Sequence, residues 1–86
     1  MDTKAFKESI VNHVYHITAE TKVPLHKHAD KDEIFYCIKG SGFGVLENSE
    51  DELSVGKAFI VPAGTLHSLR TDGELVVTAT LIPVIK

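Results

Sequence analysis

The stretch that decides the fold is residues 26–40, which read HKHADKDEIFYCIKG. Three of its side chains, those of His26, His28 and Glu33, are ligands for transition metals, and the apolar run after Glu33 is typical of a buried strand. A second stretch, residues 56–67, reads GKAFIVPAGTLH and ends in another imidazole, that of His67. Three imidazoles and one carboxylate are a suitable ligand set for one divalent transition metal.

Both stretches resemble the two signature motifs of the cupin superfamily, the small β-barrels of the germin and oxalate decarboxylase kind. The first motif covers about residues 20–40 and the second about residues 56–71. The chain matches the motif spacing at eight positions, which are His26, His28, Glu33, Gly40, Gly56, Pro62, Gly64 and His67. It departs at Glu20, where a glycine is expected, and at Thr71, where an asparagine is expected. In this family His26, His28, Glu33 and His67 occupy the metal-binding positions.

Turn-forming residues recur at short intervals and separate short runs rich in β-branched and aromatic residues. The runs predict strands at residues 11–18, 34–38, 43–46, 58–61 and 75–82, with a turn at residues 40–42 and a solvated hairpin tip at residues 50–52. Such spacing is typical of an all-β, antiparallel β-sandwich or β-barrel. The resemblance sharpens this prediction to a cupin-like jelly roll. Residues 1–9 form the one segment that could hold a helical turn.

Length, charge and cysteine content bound the functional classes. A chain of 86 residues predicts one domain spanning residues 1–86, and its net charge of -3 without a basic stripe argues against nucleic acid as a partner. No apolar stretch reaches membrane-spanning length, and the N-terminus lacks the apolar core of a secretory signal. The single cysteine, Cys37, excludes an internal disulfide and suits a reducing cytoplasm.

A chain this short buries a small core, so a metal or a second subunit is expected to add stability. Residues 75–85 are apolar on both faces of a predicted strand, whereas a strand exposed on one face would alternate with polar residues. We therefore expect a homodimer, in which either this C-terminal strand or the N-terminal strand at residues 11–17 packs on the partner.

Side-chain alternation along a strand predicts which residues share the ligands' face. Counting from Glu33 places Phe35 on the inward face, and counting from His67 places Leu69 and Thr71 there, so these three residues are predicted to line the pocket. By the same count Ser68 and Arg70 point away. Cys37 is interpreted as a small buried apolar residue. Tyr15, Tyr36, His13 and His16 are interpreted as packing or surface residues.

The ligand set favours iron, manganese, nickel, copper or zinc, one ion per chain, and does not choose among them. Two functions fit these residues. The first is an enzyme that uses the metal on an oxygen-rich small molecule, with dioxygenase-type chemistry favoured over hydrolysis because no acid–base residue other than the ligands falls on the predicted inward faces. The second is a non-catalytic module that binds or senses a metal or a small ligand. A structural barrel with an incidental site ranks last.

Overall fold

Six antiparallel strands make up the regular structure of the residues that the computed structural model describes, which are residues 4, 7 and 9–84. The strands are β1 (Val11–Thr18), β2 (Lys31–Leu46), β3 (Glu50–Ser54), β4 (Ala58–Val61), β5 (His67–Arg70) and β6 (Glu74–Pro83). The all-β, antiparallel prediction is therefore confirmed. Of the segment given a possible helical turn, Lys4, Lys7 and Ser9 are helical, and its other residues lie outside the described ones.

Strand β2 is shared by two sheets. Its first half lies between β6 and β4, which gives the order β1-β6-β2-β4, and its second half lies between β3 and β5. The turn predicted at residues 40–42 is wrong, because the chain continues through these residues as one bent strand. A bulge between Cys37 and Lys39 starts the bend, and Gly40 adopts a positive φ of 76°. A Cβ at Gly40 would collide with the carbonyl of Glu74, so the crossing from one sheet to the other needs glycine there.

The acidic residues 50–52 lie in strand β3, and the prediction that they form a hairpin tip is also wrong. The hairpin closes earlier, where the N–H of Leu46 donates to the carbonyl of Ser49 at 2.8 Å. Two features hold the acidic segment in the sheet. Arg70 donates to Glu50 with an Nη2 to Oε1 distance of 2.7 Å, and Leu53 is buried in the core.

The core lies between the two sheets and is built from alternate residues. Along β6 the residues Leu75, Val77 and Ala79 are fully buried, whereas the residues between them are partly exposed. Cys37 is buried beside them, as predicted, and its thiol donates weakly to the carbonyl of Lys39 at 3.5 Å. In the single chain, therefore, only one face of the apolar C-terminal strand is buried.

Within the described residues, no helix is long and apolar enough to cross a membrane.

Candidate metal centre

Two of the four predicted ligands lie on an extended segment that is not a regular strand. His26 forms an isolated β-bridge with His67, with N–H to carbonyl distances of 3.0 Å and 2.8 Å. The carbonyl of His28 accepts from the N–H of Gly64 at 2.8 Å, which ties this segment to the Pro62–Gly64 turn. Lys27, between the two histidines, is exposed, as alternation predicted.

The other two ligands lie on strands and are buried. Glu33 is on the inner face of β2, with only 2% of its surface exposed, and His67 is the first residue of β5, with 0% exposed. One ligand atom from each of the four residues lies within 4.8 Å of every other. The structure thus brings all four sequence-predicted ligands together, although they come from two distant parts of the chain.

Backbone carbonyls orient two of the imidazoles. The Nδ1–H of His26 donates to the carbonyl of Pro24 at 3.0 Å, and the Nδ1–H of His67 donates to the carbonyl of Thr65 at 2.8 Å. Because each Nδ1 holds its proton in such a bond, the Nε2 of the neutral ring carries a lone pair and faces the cluster. Each donation runs to a carbonyl two residues earlier in the chain, so the local backbone itself sets the ring orientation.

The contacts of Glu33 test whether these residues fit a cation. Its Oε1 lies 2.9 Å from Nε2 of His67 and 3.3 Å from Nε2 of His28. A carboxylate oxygen facing the lone pair of a neutral imidazole is an acceptor facing an acceptor, and burial removes water that could separate them. Either a proton or a metal cation between the two atoms removes this repulsion. The donor set therefore fits a divalent transition metal.

A cavity of about 410 Å³ opens directly from the ligand cluster. Phe35 and Leu69 lie on its wall, where the sequence placed them. It continues beyond the predicted residues to β1 and to the segment that joins β1 to His26. The additional lining residues include Tyr15, Ile17, Thr21, Val23, Ser68 and Leu81.

Thr71 does not line this cavity, contrary to the prediction. Strand β5 ends at Arg70, so the alternation counted from His67 does not extend to position 71. The Thr71 hydroxyl donates to the carbonyl of Ser41 at 2.7 Å and borders a separate depression with Leu53. The same alternation predicted that Ser68 points away from the ligands' face, and this prediction is also wrong. Ser68 is buried, and its hydroxyl donates to the carbonyl of Val23 at 2.7 Å.

Tyr15 is the functional candidate that the sequence analysis missed. Its partner in β6 is Val77, whose side chain is in the core, so its ring lies on the inner face of the edge strand β1. Burial raises the pKa of its phenol, and the negative charge of Glu33 raises it further, so the hydroxyl stays protonated as a donor. His13 stacks on the Tyr15 ring with 5.8 Å between ring centroids. No local signal in the sequence indicated it, because the pairing of β1 with β6 decides which side chains of β1 face inward.

His16, interpreted from the sequence as a surface residue, lies at the edge of the same cavity. Its Nε2 lies 2.7 Å from Oε2 of Glu74. Hydrogen bonding from His16, followed by the charge of Lys39, lowers the pKa of the Glu74 carboxyl. His16 is thus already engaged by an exposed carboxylate on the outside of the sheet.

Comparison with known proteins gives one family and many structural neighbours. A family profile described as "Cupin domain" matches residues 13–83. An uncharacterised protein of Methanocaldococcus jannaschii is 29% identical over 72 residues, which is 84% of this chain and 56% of that protein.

Two solved structures show the same fold at low sequence identity. One is a predicted oxalate decarboxylase from Thermotoga maritima, with a TM-score of 0.81, 21% identity and coverage of 98% of this chain and 76% of that one. The other is the DMSP lyase DddQ from Ruegeria pomeroyi, with a TM-score of 0.79, 22% identity and coverage of 91% and 40%. This chain spans about half the length of the archaeal relative and less than half of the lyase.

Proposed function

Because the chain belongs to the cupin family, whose profile matches most of its length, we propose that it binds one divalent transition metal through His26, His28, Glu33 and His67. The observation that carries this proposal is the convergence of four ligand atoms within 4.8 Å of one another, with Oε1 of Glu33 and Nε2 of His67 buried and 2.9 Å apart. A cation between them replaces a repulsion with two ligand bonds. Iron, manganese, nickel, copper and zinc all suit this donor set.

We further propose that the chain is an enzyme that acts on an oxygen-bearing small molecule in the cavity, with dioxygenase-type chemistry. A metal in this position supplies a Lewis acid for a bound oxygen donor and, if it is redox-active, a means of exchanging electrons with dioxygen. The residues of the chain bind and orient the molecule and exclude water. Tyr15 supports the enzymatic function, because its protonated phenol is a hydrogen-bond donor in the lining of the cavity.

The first test measures metal content. Purified protein should hold about one transition metal ion per chain, and His28→Ala should lower the affinity at least tenfold because it removes one ligand. Lys27→Ala is the matched control, since its exposed side chain lies between two ligands. Protons compete with the metal for the imidazoles, so occupancy should fall in acid. Full occupancy of His28→Ala after dialysis against a chelator would contradict the assignment.

The second test measures the reaction. A panel of small oxygen-rich acids, enediols and phenols is incubated with protein loaded with iron(II), manganese, copper or nickel, and oxygen uptake and product mass are followed. Turnover that is lost in His28→Ala supports the enzyme. Tight binding of a compound without turnover on any metal supports the second candidate, a non-catalytic binding or sensing module. That candidate is favoured by the apolar part of the wall, which Ile17, Val23, Phe35, Leu69 and Leu81 form.

The homodimer also remains a proposal, and the fold favours the N-terminal strand over the C-terminal one as its interface. Strand β6 is hydrogen-bonded on both edges, whereas β1 pairs with β6 alone among the described strands. The outer face of this sheet also exposes apolar side chains, which are Val14 on β1, Tyr36 on β2 and Ile60 on β4. A twofold axis perpendicular to an edge strand relates two copies of it as antiparallel strands, so a second copy can pair with this edge.

Light scattering tests the dimer. Wild-type protein should be dimeric at micromolar concentration, and Val14→Lys should shift it to the 9.4 kDa monomer without loss of metal. Val55→Lys is the control, because Val55 is equally exposed but lies in the turn between β3 and β4. Monomeric wild-type protein at every concentration would refute the proposal. A location in the reducing cytoplasm is proposed from the lone, buried Cys37.

A further inference from the structure

The cavity has two chemically different ends. One end holds the ligand cluster, where His26, His28 and Glu33 line the wall. Apolar side chains from five parts of the chain also line the cavity, namely Ile17, Val23, Phe35, Leu69 and Leu81. Leu81 pairs with Glu33 and the Phe35 ring lies 5.8 Å from that of His67, so these two residues flank the ligand cluster. Ile17 pairs with Leu75, six residues from Leu81 along β6, and marks the other, apolar end. Ile17, Phe35 and Leu69 are at most 5% exposed, so packing of the core holds this apolar wall in place.

Two polar groups in the cavity lining, the hydroxyls of Thr21 and Ser68, already have partners. The Ser68 hydroxyl donates to the carbonyl of Val23, and the Thr21 hydroxyl oxygen accepts the N–H of Thr18 at 3.0 Å. Among the described residues that line the cavity there is no lysine or arginine. A second anionic group carried to the apolar end would lose its water and gain no cation, which is strongly unfavourable.

We propose that the ligand of this site is an amphiphilic small molecule, with one oxygen-donor head at the ligand cluster and an apolar body that extends to Ile17 and Val23. The placement of the head depends on the proposed metal function, and the placement of the body depends on the cavity wall. At roughly 30 Å³ for each water-sized group, a volume of about 410 Å³ accepts a molecule of about a dozen non-hydrogen atoms. Small dianions, which need a second cation, are excluded by the same wall.

A series of hydroxamates with increasing alkyl chains tests this placement, because the hydroxamate head binds zinc through two oxygens. Affinity for zinc-loaded protein is measured by calorimetry for the two-, four-, six- and eight-carbon members. It should rise about two- to fourfold for each added methylene until the apolar end is filled. A hydroxamate of the same length that ends in a carboxylate should bind at least tenfold more weakly than its methyl-ended counterpart.

A variant that shortens the cavity supplies the second measurement. Val23→Trp fills the apolar end, and should weaken the eight-carbon hydroxamate at least tenfold while zinc content and binding of the two-carbon member stay unchanged. Val55→Trp is the matched control, since its side chain is exposed and lies outside the cavity lining.

The outcomes separate the two proposals. Wild-type protein that takes up no zinc overturns the proposed metal function and the placement of the head with it. Zinc-loaded protein whose affinity does not change with chain length, or that prefers the carboxylate-ended compound, overturns the amphiphilic ligand alone. The alkyl series on wild-type protein distinguishes these outcomes even if Val23→Trp does not fold.

Discussion

The two walls of the cavity are built in different ways. The wall formed by β2 and β5 carries Glu33 and Phe35, with His67 buried beside them, and each of the three is at most 2% exposed. The opposite wall is formed by the edge strand β1 and the extended segment with His26, and there Tyr15 is 40% exposed. One half of the ligand set thus belongs to the core, and the other half is attached to it through a few backbone hydrogen bonds.

Because the two walls are packed differently, we expect substitutions on them to affect the stability of the fold and the binding of metal to different extents. Substitutions on the core wall should destabilise the fold whether or not metal is present, because they leave cavities or unpaired buried groups. Substitutions on the edge wall should affect mainly metal and ligand binding. A metal held by both walls would also link them, since a ligand that binds only the folded arrangement stabilises it.

The largest expected effect is on the core wall, at Phe35. Phe35→Ala should lower the free energy of unfolding of metal-free protein by about 3–5 kcal/mol, because its buried ring stacks on Phe59 with centroids 5.9 Å apart. Tyr36→Ala, the adjacent and half-exposed aromatic residue, should cost about 1 kcal/mol or less. Urea denaturation measures both. Equal losses in the free energy of unfolding would contradict the burial of one face of β2 and the exposure of the other.

The next effect compares two ligands on opposite walls. In metal-free protein a proton replaces the cation between Glu33 and His67, so His67→Ala should destabilise it by about 1–3 kcal/mol because the buried carboxylate loses that donor. His28→Ala, whose side chain is 32% exposed, should change the stability of metal-free protein by about 0.5 kcal/mol or less. Both variants should bind metal weakly. If the two metal-free variants have similar free energies of unfolding, the two walls contribute equally to the stability of the fold, which would contradict the comparison.

Hydrogen exchange tests the link between the walls. At a metal concentration about 100 times the Kd, binding stabilises the closed arrangement by about 2.7 kcal/mol, so exchange of amides that open with the edge wall should slow up to about 100-fold. The N–H of His26, bonded to the carbonyl of His67, and the N–H of Gly64 report on this wall. The N–H of Cys37, bonded to the carbonyl of Lys57, is the internal control and should change less.

The smallest expected effect lies outside both walls, at the exposed pair of Glu50 and Arg70. The hydrogen bond from Arg70 lowers the pKa of the Glu50 carboxyl. A pKa that is lower in the folded state gives stability that is present above the unfolded value and is lost as the pH falls through the folded value.

The difference in urea midpoint between wild type and Arg70→Gln should therefore be constant above about pH 5 and should shrink as the pH falls below about 4, the usual pKa range of a glutamate. Lys57→Gln is the control, because Lys57 has no ion pair among the residues described. A difference that grows in acid would contradict the assigned direction.

The sequence by itself determined the four candidate ligands and the strands at residues 11–18 and 58–61, because fixed spacing and side-chain alternation are local properties of the chain. Tertiary structure decided what those properties could not. Gly40 passes through a sheet crossing instead of a turn, since the backbone of Glu74 lies against it. Tyr15 reaches the cavity because β1 pairs with β6, and Thr71 leaves it because β5 ends one residue earlier. In the first two cases a contact with a residue distant along the chain decides the outcome, and in the third the end of a strand decides it. The local pattern of residues specifies neither the distant contact nor the strand end.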